Sequence, residues 1–479
     1  LAAYDFLHFQ VRMKSPSRLR RTSSSLLVII FLAAVCREIG AGSWSIVISG
    51  TGLLIFIGLE WRQMAGVAKA TFMVAIAIFA VLASQGQISL DLIEKAFVRA
   101  TFFSFFVTSL DILRSAAQTS PMIRHCGKLI IDQPPGRRYA VLTYGGHMFG
   151  ILLNMGALNL LGTMVRRSID SDQVDVEDRI REMRLQRMTM ALMRGFCALP
   201  LWAPTSVAVV LVLTGLPDTT WFDVAPYAMT TAFIYISFDW FIDRLSFPRP
   251  RIIQKAGSLR GVLYSLLPLL ALNVVVLGTA FLLSWLSPLR LIGALLICVP
   301  IFGIGWLIIQ RSSAGLPLAF RMTGRRLAYK VVPGLSDLRT EICVLASSAF
   351  ISIVLLPQID VTALSDLIMQ NGLGAGAVLV MTLWFISIAG PLGFNPIISV
   401  SLAVETLASL PGLHISPVLI LMTCTLAWAL VTGVSPFSAA ERLTSRCIRK
   451  SPFVIGPRWN MVFTLSVLIS ASIFLLIAA

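Results

Sequence analysis

A set of uncharged polar residues stands at breaks in long apolar runs: Asn154, Asn159, Thr205, Ser206, Asn395, Ser435 and Ser438. Within an apolar helix, proline removes a backbone donor and leaves a carbonyl one turn earlier without its partner. Hydroxyl and amide side chains beside such a carbonyl add oxygen ligands and N–H donors. Together they can coordinate a cation or donate to an anion without placing an unpaired charge where charges are expensive. Two of the breaks echo each other. Ala203-Pro204-Thr205-Ser206-Val207-Ala208 and Ser435-Pro436-Phe437-Ser438-Ala439-Ala440 each run small residue, Pro, one residue, Ser, then small residues. Interrupted segments at matching positions of two halves point to a transporter binding site.

Titratable candidates are few. Glu405 lies in an apolar run, where an acid is a functional candidate by default, and His147, after Gly145-Gly146, could titrate near neutral pH; both are candidates for proton coupling. Each has a structural alternative: solvation near a membrane surface for Glu405, packing for His147. Asn154 and Asn159 could equally be interhelical hydrogen-bond glue. Asp239 and Asp243, beside Arg244, read as marking a helix end at the interface, and Arg194 reads as the start of another helix. The tryptophans read as packing or interfacial anchors. The 7 cysteines include no Cys-x-x-Cys pair and the 4 histidines are dispersed, so neither a disulfide framework nor a metal site is expected.

The elements that would carry these residues follow from composition. The 479 residues are 57% hydrophobic and 13% charged, with a mean hydropathy of +0.84, against about 25% charged for soluble domains. The expected class is an all-α polytopic membrane protein. The net charge of +16 comes from basic clusters between apolar runs. That is the positive-inside pattern and not a nucleic-acid surface. Arg18 to Ser25, ahead of Leu26, reads as a cytoplasmic basic flank, within a tail of residues 1–25.

Charge also constrains topology. If the apolar stretch at about 139–166 returns to its own side, nearly all of the 39 Lys+Arg fall on one face, leaving Arg37, Lys95, Arg99 and Arg290 elsewhere. The stretch is too short for two crossings at 1.5 Å per residue, so it reads as a re-entrant hairpin opening to the cytoplasm. A second, at about 372–410, has its tip at Gly390-Pro391-Leu392-Gly393-Phe394-Asn395-Pro396 and opens to the outside. The resulting architecture is about eleven spans plus two re-entrant hairpins. They form two inverted-topology repeats, 26–260 and 261–479, with the N-terminus cytoplasmic.

On these hairpin tips and broken helices the chain resembles the ion transporter superfamily. Its members include divalent-anion, citrate and gluconate-type carriers, arsenite-pump membrane subunits and TRAP large subunits. The residues that carry the resemblance are Asn154 to Asn159, Gly393 to Pro396, Pro204-Thr205-Ser206 and Ser435 to Ser438. The divalent-anion symporters' Ser-Asn-Thr tip is absent. The resemblance implies a secondary transporter for a small anionic solute, driven by a proton or sodium gradient through alternating access, with no cofactor beyond coupling Na+ or H+. The expected location is a bacterial cytoplasmic (inner) membrane. Expected partners are membrane lipids, the solute, a second copy in a homodimer and, if the chain is a permease subunit, an extracytoplasmic binding protein. The rival is a membrane enzyme acting on a lipid-linked substrate. No HExxH, GxSxG or Walker loop supports it.

Overall fold

In hydrocarbon every backbone N–H and C=O must find its partner within the protein, and a helix satisfies them within one segment. The computed structural model describes residues 18–118, 120–170, 178–247 and 259–479; among these it is predominantly helical, with no strand. Ten helical stretches are long and apolar enough to cross a bilayer, or up to eleven if the bent pair Val361–Gln370 and Ala375–Ala389 is one span. Large apolar side chains such as Ile55, Val74, Phe233 and Val462 lie exposed on these helices. Apolar surface of that extent is compatible with lipid as solvent and not with water. The protein is an integral membrane protein of the all-α class.

The chain divides into two compact units, one from residues up to 116 with 278–355, the other from 117–277 with 356–479. Apart from 261–277, each unit takes an earlier or a later block from both sequence halves. In the first unit, charged helix ends gather on one knot. The Ser23 hydroxyl donates to Glu60 at 2.6 Å, Arg339 pairs with the same carboxylate at 3.4 Å, and Arg20 reaches the Pro333 carbonyl at 2.8 Å. Arg326 donates to the Ser115 carbonyl at 3.1 Å. The basic stretch 311–340 is mostly helical. Leu316–Arg326 leads through a π-turn at Leu327–Val331 into Arg339–Leu355. Arg326 and Arg339 reach neighbouring helix ends, while Arg321, Arg325 and Lys330 are exposed.

The second unit holds every candidate site residue. Helices Pro135–Leu153 and Met155–Asp170 meet at Asn154, whose φ of 47° breaks the helix. They fold back on each other. Gly146 and Gly162, each eight residues from Asn154, both lie against Leu192. The first broken helix runs Asp178–Cys197, Leu199–Trp202, then Val207–Gly215. The second runs Pro417–Val434, then Ala439–Ile448. Helices Ala375–Ala389 and Pro396–Ser409 flank the tip at 390–395 and both pack on Pro417–Val434. Trp221–Ser246 and Trp459–Ala478 complete the site's walls. Residues 171–177, within the charged stretch 166–187, lie outside the described residues, as do 1–17 of the basic tail. From Asp178 that stretch is the start of a helix.

Candidate functional site

The two breaks solve the same backbone problem in the same way. At the second, Pro436 has no N–H for the Thr432 carbonyl, and the Ser438 hydroxyl donates to it instead at 2.9 Å. The Phe437 N–H turns to the Ser435 hydroxyl at 3.3 Å. That frees the Gly433 carbonyl, which accepts from the Asn460 amide at 2.7 Å. At the first break the Ser206 N–H bonds to Ala203 at 2.8 Å, leaving the Trp202 carbonyl to accept from the Trp221 indole at 2.9 Å. In both, a side chain from another helix occupies a freed carbonyl.

Each break is also tied to its own hairpin tip. The Thr205 hydroxyl donates to the Ile151 carbonyl at 3.4 Å, and the Ser435 hydroxyl to the Gly390 carbonyl at 2.9 Å. Close approach is possible because the tips carry glycine. A methyl on Gly150 would collide with Leu199, and one on Gly390 with Val431. Asn395 caps helix Pro396–Ser409, its side-chain oxygen accepting from the Ile397 N–H at 3.0 Å. Ser438 caps Ala439–Ile448 by accepting from the Glu441 N–H at 3.1 Å.

These contacts sort the sequence candidates. Thr205, Ser435, Ser438 and Asn395 are engaged with backbone, whereas Ser206, half-buried at the start of Val207–Gly215, makes no side-chain capping bond. Asn154 forms the first tip. Asn159 is exposed and accepts from the Cys447 thiol at 3.5 Å, about 13 Å along its helix from Ser438, so it is not brought to the break. Glu405 is buried on Pro396–Ser409 beside Gly215, the far end of the short helix that Ser206 begins. His147 is bracketed. Its Nε2 accepts from the Trp202 indole at 3.0 Å, so Nδ1 carries the proton and donates to the Gly195 carbonyl at 3.0 Å.

Sequence reasoning missed the charged centre. Arg194 with Asp239, and Arg187 with Asp243, form two ion pairs between Asp178–Cys197 and Trp221–Ser246. Arg194 meets Asp239 at 2.6 Å, with side chains 7% and 0% exposed, and Arg187 grips Asp243 through two bonds of 3.0 and 2.7 Å. The Tyr139 hydroxyl donates to Asp239 at 2.6 Å, and Arg194 lies 4.4 Å over the Phe463 ring. Arg194 Nε donates to the Asn460 side-chain oxygen at 2.7 Å. One amide therefore joins the ion pair to the second break, through Gly433. The available signal was Tyr235, Asp239 and Asp243 at four-residue spacing, which places them on one helix face.

Glu441 is the other residue missed. It is fully buried in helix Ala439–Ile448, and neither carboxyl oxygen has a hydrogen-bond partner. Asp239 Oδ2 and the Tyr235 hydroxyl are similarly unpartnered.

Comparison with known proteins adds a shallow likeness. No family model matches the chain, and no curated protein does. Among solved structures it is similar to the YdaH transporter of Alcanivorax borkumensis, described as having an unusual topology. The match has 13% identity and a TM-score of 0.46, covering 85% of this chain and 96% of that one.

Proposed function

We propose that the protein is a secondary active transporter. It moves a small anionic solute by alternating access, driven by a proton or sodium gradient. The observation that carries this reading is the pairing just described: two broken helices, each bonded by a Ser or Thr hydroxyl to a carbonyl at its own helix-hairpin tip. Irregular backbone at membrane depth is tolerated only where it is enclosed by protein or lines a cavity. Helices Val207–Gly215, Pro396–Ser409 and Ala439–Ile448 all begin at these irregular segments. Their N-termini offer partial positive charge and free N–H groups to an anion.

Ser206 is the hydroxyl assigned to the solute. Purified protein in liposomes should accumulate at least one member of a panel of organic and inorganic anions, with and without sodium and at two pH values. Ser206→Ala should lower apparent affinity about 5-fold, the loss of roughly 1 kcal/mol from one neutral hydrogen bond. Its melting temperature should hold. Equal uptake by the parent and the variant would remove Ser206 from the site. If no anion accumulates and a lipid-linked substrate is modified, the protein is an enzyme.

The hairpins belong to the same reading as re-entrant elements. Single cysteines placed by Asp132→Cys and Asp170→Cys, in a background without the native cysteines, should label from the same side of the membrane. Labelling from opposite sides would make 135–170 an ordinary crossing.

A further inference from the structure

Glu441 breaks a local pattern. Ser438-Ala439-Ala440-Glu441 is the sequence of a capping box, in which the acid three residues into the helix reaches back to the N–H of the capping serine. Only half of that box forms. Ser438 accepts from the Glu441 N–H, but the Ser438 N–H bonds to Ser435 at 3.0 Å. The Glu441 carboxyl turns inward, close to Gly456 in the π-turn Val454–Arg458. A methyl on Gly456 would also strike the Val434 carbonyl at the break. The site is therefore built between the broken helix and that turn, with glycine making room.

Among the described residues no cation pairs with the carboxyl. From Asp178–Cys197 the titratable groups facing this region are Cys197, which interacts electrostatically with Glu441, and Arg194, already committed to Asp239 and Asn460. From Met155–Asp170, Arg166 reaches the Ile448 carbonyl at the opposite end of the Glu441 helix and pairs with Asp170. The turn contributes Arg458, and the helix itself Arg442 and Arg446, all three exposed to the outside. Pro417–Val434 presents the uncharged break. An ionised carboxylate enclosed without a donor is expensive enough that such a group gives up its charge.

We propose that Glu441 is a proton-binding residue of this protein: it holds a proton as a neutral acid in the enclosed state and exchanges it with water when the break opens. The step is simple acid–base binding, carboxylate plus proton giving carboxylic acid. It rests on the carrier reading and names the coupling ion of that same site. Asn460 gives the exchange a mechanical partner, because it bonds to the Gly433 carbonyl at the same break.

The test reads protonation directly, on purified full-length protein without any solute. In infrared spectra at neutral pH, parent minus Glu441→Gln should show a protonated-carboxyl band, and that band should vanish reversibly on alkalinisation. Glu441→Asp should restore a protonated band. Glu441→Gln should fold and melt at or above the parent temperature at neutral pH, since it replaces a neutral acid by a neutral amide of similar size. Absence of the band, with the folded variant in hand, overturns the proposal. Loss of the band on adding sodium chloride at fixed pH, but not choline chloride, also overturns it and makes the site one for Na+. A band that titrates in a protein that transports no anion would leave Glu441 as a proton site and remove the carrier reading instead.

Discussion

Asp239→Asn should lower the stability of the folded protein by about 3–5 kcal/mol, the usual cost of removing one partner from a buried ion pair. The Arg194 guanidinium cannot give up its proton and would keep its charge with no counter-charge beside it. The Tyr139 hydroxyl, which donates to the same carboxylate oxygen at 2.6 Å, would lose its ionised acceptor. Thermal unfolding in detergent should show a melting temperature well below the parent's. The double variant Arg194→Met with Asp239→Leu should recover most of that loss, because apolar residues of similar size often replace a buried pair without cost. A single variant that melts with the parent would mean that the pair is solvated and not enclosed.

Gly195→Ala should cost about 1–3 kcal/mol. At this position helices Asp178–Cys197 and Pro135–Leu153 approach so closely that a methyl would collide with the backbone carbonyl of Thr143. A flexible side chain could move aside; a helix carbonyl cannot, so the hairpin arm must shift as a body. The Gly195 carbonyl accepts from His147, whose other nitrogen holds Trp202 at the first break. Displacement should therefore show as faster hydrogen exchange around residues 199–206 as well as a lower melting temperature. Gly58→Ala is the control. Nothing lies within 4 Å of a methyl there, so it should be neutral or slightly stabilising through helix propensity. If Gly195→Ala behaves like Gly58→Ala, the close approach of the two helices is wrong.

Breaks were legible in the sequence because proline and glycine act locally: Pro204, Pro436 and the Gly390 to Pro396 tip each interrupt a helix near where they stand. The stretch 139–166 is a pair of helices meeting at Asn154, with arms that extend to Pro135 and Asp170. What was not legible depended on long-range packing. Asp239 sits in Phe238-Asp239-Trp240-Phe241, where nothing local marks its pairing with Arg194, 45 residues earlier. Glu441 is masked in the sequence by the four basic residues that follow it closely, Arg442, Arg446, Arg449 and Lys450; the helix turns the acid inward and Arg442 and Arg446 outward. Asn460, which links the ion pair to the break, stood at the edge of the last apolar run with no local oddity to mark it.

The knot at Glu60 has a consequence for the order in which the chain is made. Arg339 is synthesised 279 residues after Glu60. At about 5–20 residues per second that is roughly 15–60 s. Through that interval helices Arg18–Glu38 and Trp44–Glu60 carry a carboxylate whose partner Arg339 does not yet exist, with the Ser23 hydroxyl as its contact within the pair. A chain arrested before Arg339 keeps that unmatched acid, and with it a chemical mark by which an unfinished first unit differs from a completed one.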